Sequence, residues 1–331
     1  MIRSVKILGT GKYLPKKKVT SEELDKSLGL REGWVYKKSG VKYRYHADGE
    51  TASEMAVKAI KEALSNANLT IDDVGCIVNT SGTYEQPIPC NACLVKEKMG
   101  IKNNRFPAFD INATCLSFVT GLDTLSYLVD AGRYNNVVLV SSEVSSIGIN
   151  PMQHESYVLF GDGAAAAVIA KSHEDKGARI LSSLIETYEE GAHLTEIRGG
   201  GTKYHPRHYT EDKEKEFLFD MDGKAIFRLS SKIIGGFVEK LLGEAKLEMK
   251  DIDMVVPHQA SGMAMDILRK KLGIEEERYM NIIEDHGNVI AASIPMALHK
   301  AIVNKKIKSG SRVMLIGTSA GLSLGGLIFE Y

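Results

Sequence analysis

The strongest constraint on the fold is that the chain repeats itself. The segment AVKAIKEALSNANLTIDDVGCIVNTSG, ending at Gly82, is answered by KIIGGFVEKLLGEAKLEMKDIDMVVPHQASG, ending at Gly262. Each copy reads as an amphipathic helix, a short linker with an acidic residue (Asp73 or Asp251), and an apolar strand over 74–78 or 252–256. A second helix follows in each, ending in LVKEKMGI at 94–101 and ILRKKLGI at 267–274. A third match pairs NNVVLVSSEVSS from Asn135 with GSRVMLIGTSAG from Gly310. Matched positions stay 173 to 178 residues apart. Any α/β protein repeats helix–strand patterns, but three matches in one order at nearly constant spacing indicate duplication of a unit.

The strands are short continuous apolar runs between helices, the pattern of buried, largely parallel sheets covered on both faces. Thr51-Ala-Ser-Glu54 is a capping box that opens the helix of the first copy. The two halves are expected at 1–172 and 173–331. No Pro/Ser-rich linker separates them, so they should share a buried interface. The irregular stretch from Gly191 to Glu216 is glycine-rich, then basic, then acidic, and reads as a surface loop or lid.

Composition narrows the function. Lys plus Arg number 42 and Asp plus Glu number 42, which leaves no net charge to draw nucleic acid or an anionic membrane. No apolar run approaches the ~20 residues that span a bilayer. The start, MIRSVKILGTGKYLP, reads as a first strand and turn rather than a signal peptide. Four cysteines in 331 residues are not a disulfide framework. The expectation is a cytoplasmic protein with free thiols.

Three residues carry candidate chemistry. Cys115 lies in AFDINATCLSFVTGLDTLSYLVDAG, where a strand over 106–111 meets an amphipathic helix beginning at about residue 115. A thiol at a helix N-terminus is drawn toward thiolate by unpaired amides, and the same amides can hold a developing oxyanion. An isolated cysteine is more often structural, but the position between strand end and helix start argues for a nucleophile. His258, in MVVPHQASG, follows the strand of the second copy, with a helix expected from Gln259. Its imidazole should emerge at the carboxyl edge of the sheet, where ligands bind in open α/β sheets. Asn288, in EDHGNVIAASIPMAL, precedes a helix near Val289. Subtracting the local offset of 176 gives residue 112, just before Cys115, so the two loops should face each other across an approximate two-fold axis.

Other features are weaker. Cys90 and Cys93 form a CxxC with neither a second CxxC for zinc nor the Trp–Cys context of a redox pair, so they and Cys76 read as packing residues. Gly9-Thr-Gly11 lacks the third glycine of a dinucleotide fingerprint, and Gly199-Gly-Gly201 lacks the ending of a phosphate loop. His205 and His208 have no acidic or cysteine partner at metal-ligand spacing, so no metal is expected. FGDGAAAAVIA, 160–170, reads as a tight turn entering a strand of small residues.

Together, GWVYKKSGVKYR (33–44), DINATC, VLFGDGAAA (158–166), VPHQAS, HGNVIAASIP and GTSAGLSLGG (317–326) resemble the β-ketoacyl-acyl carrier protein synthase III family of the thiolase superfamily. The resemblance implies a duplicated, five-layered αβαβα fold, a homodimer, and a catalytic set of Cys115, His258 and Asn288. It implies that an acyl group passes from acyl-CoA to Cys115. A malonyl thioester then loses carbon dioxide, its enolate oxygen meeting Nε2–H of His258 and the amide of Asn288. The enolate carbon attacks the acyl-Cys115 carbonyl, whose oxyanion meets the amide of Cys115 and one near Ala320. Coenzyme A and acyl carrier thioesters enter as substrates, acyl carrier protein is a partner, and no cofactor is implied.

The chain departs from the family's pattern in ways that bear on substrate binding. Trp34 is retained, and the resemblance suggests that it stacks on the adenine of coenzyme A, whereas core packing is the plainer role. Met263 and His154 stand where arginines are expected, and Ile88 where a large aromatic usually reaches the partner's pocket. Basic compensation is expected from Lys37, Lys38, Lys42 and Arg44, or from Lys203, Arg207 and His208 in the loop. The alternative is a relative on the same fold without decarboxylation, an acyltransferase or Claisen enzyme of specialised metabolism. That chemistry needs a separate base, for which Glu143, Glu155 and Asp285 are candidates. A non-catalytic acyl-binding subunit is disfavoured by the intact Cys–His–Asn set.

Overall fold

The computed structural model describes residues 1–102, 104–173 and 177–331. In chain order the strands of the first sheet and its flanking hairpin are β1 (Val5–Tyr13), β2 (Lys17–Thr20), β3 (Tyr43–His46), β4 (Cys76–Asn79), β5 (Ala108–Asp110), β6 (Asn136–Glu143) and β7 (Gly163–Lys171). There follow β8 (Arg179–Thr187), the short pair β9 (Thr195–Glu196) and β10 (Asp220–Met221), then β11 (Met254–Pro257), β12 (Arg312–Ser319) and β13 (Ser323–Glu330). The helices of the first part are α1 (Ser21–Ser27), α2 (Trp34–Ser39), α3 (Ala52–Asn66), α4 (Asn91–Lys98), α5 (Ser117–Asp130) and α6 (His154–Tyr157). Those of the second are α7 (Gly223–Ala245), α8 (Gly262–Lys271), α9 (Ile283–His286) and α10 (Ser293–Val303).

The first sheet is ordered β1-β7-β6-β4-β5 and the second β8-β13-β12-β11. The four equivalent strands run in the same order with the same directions. β4 lies parallel to β6 as β11 does to β12, and β7 and β13 are antiparallel to both their neighbours. Registers match too: Val78 faces Leu139, and Val256 faces Leu315. β5 is an addition to the first sheet, parallel to β4. The sheets are therefore mixed rather than largely parallel. Continuous apolar runs report burial on both faces and carry no strand direction. β12 and β13 are joined by three residues, too few for the crossover that a parallel pair needs.

Five layers result. α3 covers the outer face of the first sheet and α7 that of the second, while α5 and α10 lie side by side between the sheets. The sequence explains the assignment. α3 begins with the expected capping box, Thr51 and Glu54 each bonding the other's backbone, and buries one apolar face. All residues from Ser293 to His299 of α10 are buried, as befits a helix enclosed on every side. The central core combines Leu116, Phe118 and Leu122 with Ile294, Met296 and Leu298. The FGDG segment forms the anticipated tight turn into β7, whose run of small residues is buried against α3 and α10.

Leu116 joins the layers: it is fully buried between α5 and the second sheet, its side chain filling the space left by Gly325. Leu116→Ala should destabilise the protein by about 2–5 kcal/mol. Urea unfolding should show this as a lower midpoint with an unchanged slope.

Candidate active site

The repeat persists to the level of single hydrogen bonds in two tight turns. In the first, Asn112 Oδ1 accepts from the amide of Thr114 at 2.7 Å and Ser117 Oγ accepts from the amide of Ala113 at 2.9 Å. In the second, Asn288 Oδ1 accepts from the amide of Ile290 at 2.9 Å and Ser293 Oγ accepts from the amide of Val289 at 2.9 Å. Each partner lies 176 positions from its counterpart. Both turns contain a β-branched residue in left-handed conformation, Thr114 at φ +47° and Ile290 at φ +43°. Such residues rarely adopt positive φ, so the flanking Asn and Ser bonds hold a strained backbone. Each turn is a single 3₁₀ turn (Thr114–Leu116 or Ile290–Ala292), and α5 and α10 start only at Ser117 and Ser293.

Cys115 sits in the first turn, and the corresponding place in the second is Ala291. The amides of Cys115 itself and Ala320, the pair expected around an oxyanion, act on the sulfur in favour of its charged form. Ser319 anchors this turn from the end of β12: its hydroxyl donates to the Ala113 carbonyl at 2.8 Å and bonds the Thr114 hydroxyl. Neither Ser319 nor the paired Asn–Ser bracing of the turns was singled out from the sequence. The repeated N-x-T and N-x-I spacing was the available signal.

His258 follows β11, its amide bonded to the Ile316 carbonyl of β12 at 2.8 Å. No helix starts at Gln259; α8 starts at Gly262 with Ser261 as its cap. The intervening turn is held by the fully buried Gln259. Its Nε2 donates to the carbonyls of Pro257 at 2.8 Å and Met280 at 3.1 Å, and its Oε1 accepts from the Ile282 amide at 2.8 Å. Gly317 of β12 allows the imidazole to approach, since a Cβ there would stand 2.8 Å from His258 Cβ. Leu116 packs against the same glycine, which brings His258 beside the Cys115 turn.

Asn288 is fixed by its backbone as well. Its amide donates to the Leu159 carbonyl at 2.8 Å, and its carbonyl accepts from the Gly161 amide at 3.0 Å. Gly287, at φ +72°, lies so near the FGDG turn that a Cβ would stand 2.8 Å from the Leu159 oxygen. With Oδ1 committed to Ile290, donation to any ligand falls to Nδ2 of Asn288.

The electrostatics correct one expectation. The Cys115 thiol is not drawn toward thiolate: burial first, then the nearby charge of Glu143, push it up to about 12, and the amides of Cys115 and Ala320 oppose this without winning. Desolvation outweighs the short 3₁₀ turn's partial charges. Burial likewise pulls His258 down to about 4, so its imidazole is neutral at physiological pH. The candidate bases are all engaged. Glu155 pairs with Lys38 at 3.0 Å, and Asp285 pairs with His286 at 2.6 Å and Lys300 at 2.7 Å. The Glu143 carboxylate accepts from the amides of Gly82 and Thr83 and the Thr83 hydroxyl.

Three of the candidate substrate contacts cluster. Trp34 stands edge-on to His154 with ring centroids 6.4 Å apart, and Lys38 Nζ lies 5.8 Å from the Trp34 ring centre. Met263 is 60% exposed on α8, beside the close packing of Gly262 on Gly40 at the end of α2. Ile88 is 84% exposed on the loop before α4. Arg44, by contrast, is fully buried and bonds the Val158 carbonyl, so it cannot belong to a docking face. Cys76 is buried as expected, but Cys93 is exposed, with its sulfur 3.4 Å from that of Cys90, and is not a packing residue.

Comparison with known proteins agrees with this arrangement. Residues 109–189 match the family model for 3-oxoacyl-[acyl-carrier-protein] synthase III, and residues 242–331 match the model for its C-terminal part. The chain is 30% identical to a β-ketoacyl-[acyl-carrier-protein] synthase III from Clostridium perfringens, over 99% of this chain and 100% of that one. It belongs to the β-ketoacyl-acyl carrier protein synthase III family. The relative from Caldanaerobacter subterraneus is 32% identical, over 98% and 97% of the two chains. The crystal structure of 3-oxoacyl-[acyl-carrier-protein] synthase III from Aquifex aeolicus superposes with a TM-score of 0.88 at 31% identity, covering 99% of this chain and 100% of that one. The chain is thus an acyltransferase of the condensing-enzyme class with a thiolase-like fold.

A thiol held this high should alkylate slowly near neutrality. Carbamidomethylation mapped by peptide mass against pH should modify Cys93 first, with Cys115 reacting only as pH rises well beyond the ordinary thiol range. Early modification of Cys115 at neutral pH would show that the amides outweigh burial.

Proposed function

We propose that this enzyme carries out decarboxylative Claisen condensation in fatty acid synthesis, joining an acyl group from acyl-CoA to a malonyl thioester to give a 3-oxoacyl thioester. The observation that carries this reading is the place of Cys115 in a strained turn that mirrors, bond for bond, the turn of Asn288. In the first half-reaction the Cys115 sulfur attacks the acyl-CoA carbonyl while neutral His258 takes the thiol proton. The two amides hold the oxyanion, and coenzyme A departs as a thiol with that proton. Splitting the reaction through a covalent acyl-enzyme replaces one hard step by two easier ones.

In the second half-reaction the malonyl thioester loses carbon dioxide and negative charge gathers on its thioester oxygen. A neutral imidazole and a carboxamide suit that task, since both donate without carrying a charge that would bind the malonyl carboxylate more tightly than the enolate. Preorganised donors act where charge develops. The enolate carbon attacks the acyl-Cys115 carbonyl, and the tetrahedral intermediate expels the Cys115 thiolate, which takes up one proton from solvent to restore the resting thiol. No step is routed through a metal or redox cofactor.

The reading extends to assembly and partners. A homodimer is supported by the outer edge of β5, which among the described residues has no strand partner, and by the exposed Ile88 on the loop beside it. Division into halves 1–172 and 173–331 is supported by the repeated strand order. Among the described residues no helix is long and apolar enough to cross a membrane, and we assign a cytoplasmic location. The Trp34, Lys38 and His154 cluster is assigned to coenzyme A. Acyl carrier protein is assigned to the face of Lys37, Lys38, Lys42 and Met263. The inserted loop is the second candidate, where a cavity of about 130 Å³ is lined by Lys203, His205, His208 and Lys213.

Two experiments test this. Intact mass after incubation with acyl-CoAs should show one acyl adduct, mapping to Cys115. Asn288→Asp should lower malonyl-CoA decarboxylation on the order of 10²–10³-fold, because a carboxylate repels the developing charge, while self-acylation is largely spared. A variant that decarboxylates normally but fails to acylate would contradict this assignment.

For the carrier, Met263→Arg should raise kcat/KM for an acidic acyl carrier protein at low salt, with a gain that shrinks as salt rises. No gain at any ionic strength would move the docking site to the inserted loop.

A further inference from the structure

Glu143 is fully buried at the end of β6 and acts electrostatically on Cys115, yet no step above uses it. Its carboxylate accepts from the Gly82 amide at 2.7 Å, the Thr83 amide at 2.9 Å and the Thr83 hydroxyl at 2.6 Å. β6 also packs against the 3₁₀ turn Ile290–Ala292 that follows Asn288. A carboxylate has about four lone-pair sites, and the three donors occupy most of them. The Glu143 side chain is thus committed to the segment after β4, at the point where β6 meets the turn of Asn288.

The internal repeat explains the arrangement. Glu143 is 176 positions before Ser319, and each is the last residue of its strand, β6 or β12. Ser319 bonds the turn of Cys115, and Glu143 stands at the equivalent place where β6 packs on the turn of Asn288. Ala291 occupies the place equivalent to Cys115, so its amide corresponds to the Cys115 amide assigned to the oxyanion. The second half therefore sets a buried carboxyl group beside the turn equivalent to the one that meets a transient oxyanion in the first.

We propose that Glu143 is a positioning residue for the decarboxylation half-reaction, holding the Asn288 turn in register with the acyl-Cys115 turn. The proposal rests on the roles of Cys115 and Asn288 given above. The titratable group facing Glu143 is the Cys115 thiol, from the turn Thr114–Leu116; β4's end and the Asn288 turn present amides and the Thr83 hydroxyl. Burial pushes the Glu143 carboxyl up to about 7 against the pull of its donors. Protonation removes an acceptor site, so decarboxylation should fall as pH drops through that value.

The test uses full-length Glu143→Gln and Thr83→Val. Glu143→Gln is expected to lower malonyl-CoA decarboxylation on the order of 10²-fold through misplacement of Asn288, with self-acylation changed only a few-fold. Because the negative neighbour is gone, Cys115 alkylation should shift to lower pH, a change that loss of a merely structural contact does not produce. Thr83→Val keeps the charge and loses one donor that favours it, so the acidic limb of the decarboxylation profile should move to higher pH. This milder variant decides the matter if Glu143→Gln does not fold. Native rates and pH profiles in both variants would overturn the proposal, as would parallel loss of decarboxylation and acylation with an unshifted alkylation profile. If the native protein itself neither takes an acyl group nor decarboxylates malonyl-CoA, the roles of Cys115 and Asn288 fail first, and the positioning role falls with them.

Discussion

Two strained turns are the constraint on which the site depends. Thr114 and Ile290 are β-branched residues held at positive φ, and each is braced by an Asn carbonyl and a Ser hydroxyl acting on backbone amides. Such strain costs of order 1–3 kcal/mol per residue and persists only where the surroundings over-determine the backbone. Here the surroundings are the two sheets. α5 and α10 run from the turns into the layer between the sheets, Ser319 at the end of β12 bonds the turn of Cys115, and β6 packs on the turn of Asn288. The geometry of the site is therefore a product of the central core rather than of any loop.

Burial sets the chemistry that this geometry can perform. It keeps the Cys115 thiol protonated and the His258 imidazole neutral, so the resting site contains no thiolate–imidazolium pair. In the proposed reaction, proton transfer then accompanies acyl transfer instead of preceding it. The resting thiol is also shielded from adventitious electrophiles that capture exposed thiolates. The neutral imidazole is in the state in which a donor helps an enolate without over-stabilising the malonyl carboxylate.

Much of this was legible in the sequence, because it is written in local patterns. The repeat, the capping box at Thr51, and the placement of Cys115, His258 and Asn288 after strand ends all follow from periodicity and turn residues a few positions apart. The mixed direction of the strands was not legible, since an apolar run records burial and not the polarity of its neighbour. The state of Cys115 was misjudged because the helix-start argument is local, while its desolvation and the charge of Glu143 come from residues distant in sequence. Arg44 and Cys93 failed in opposite ways. A cation was buried behind the FGDG turn, and a thiol was left in solvent on the first turn of α4. Gln259, Ser319 and Glu143 act by bonding backbone 21 to 206 residues away, for which no local pattern exists.

The seam position of the site has a consequence for the life of the polypeptide. The thiol and its amides are contributed by both sheets, since Cys115 precedes α5 while Ala320 follows β12. A nascent or damaged chain in which only one sheet has formed holds a cysteine without its oxyanion partner, or an asparagine and histidine without a nucleophile. The complete site of the proposed reaction therefore exists only where the two sheets have docked. It is a product of the seam, and neither half holds it alone.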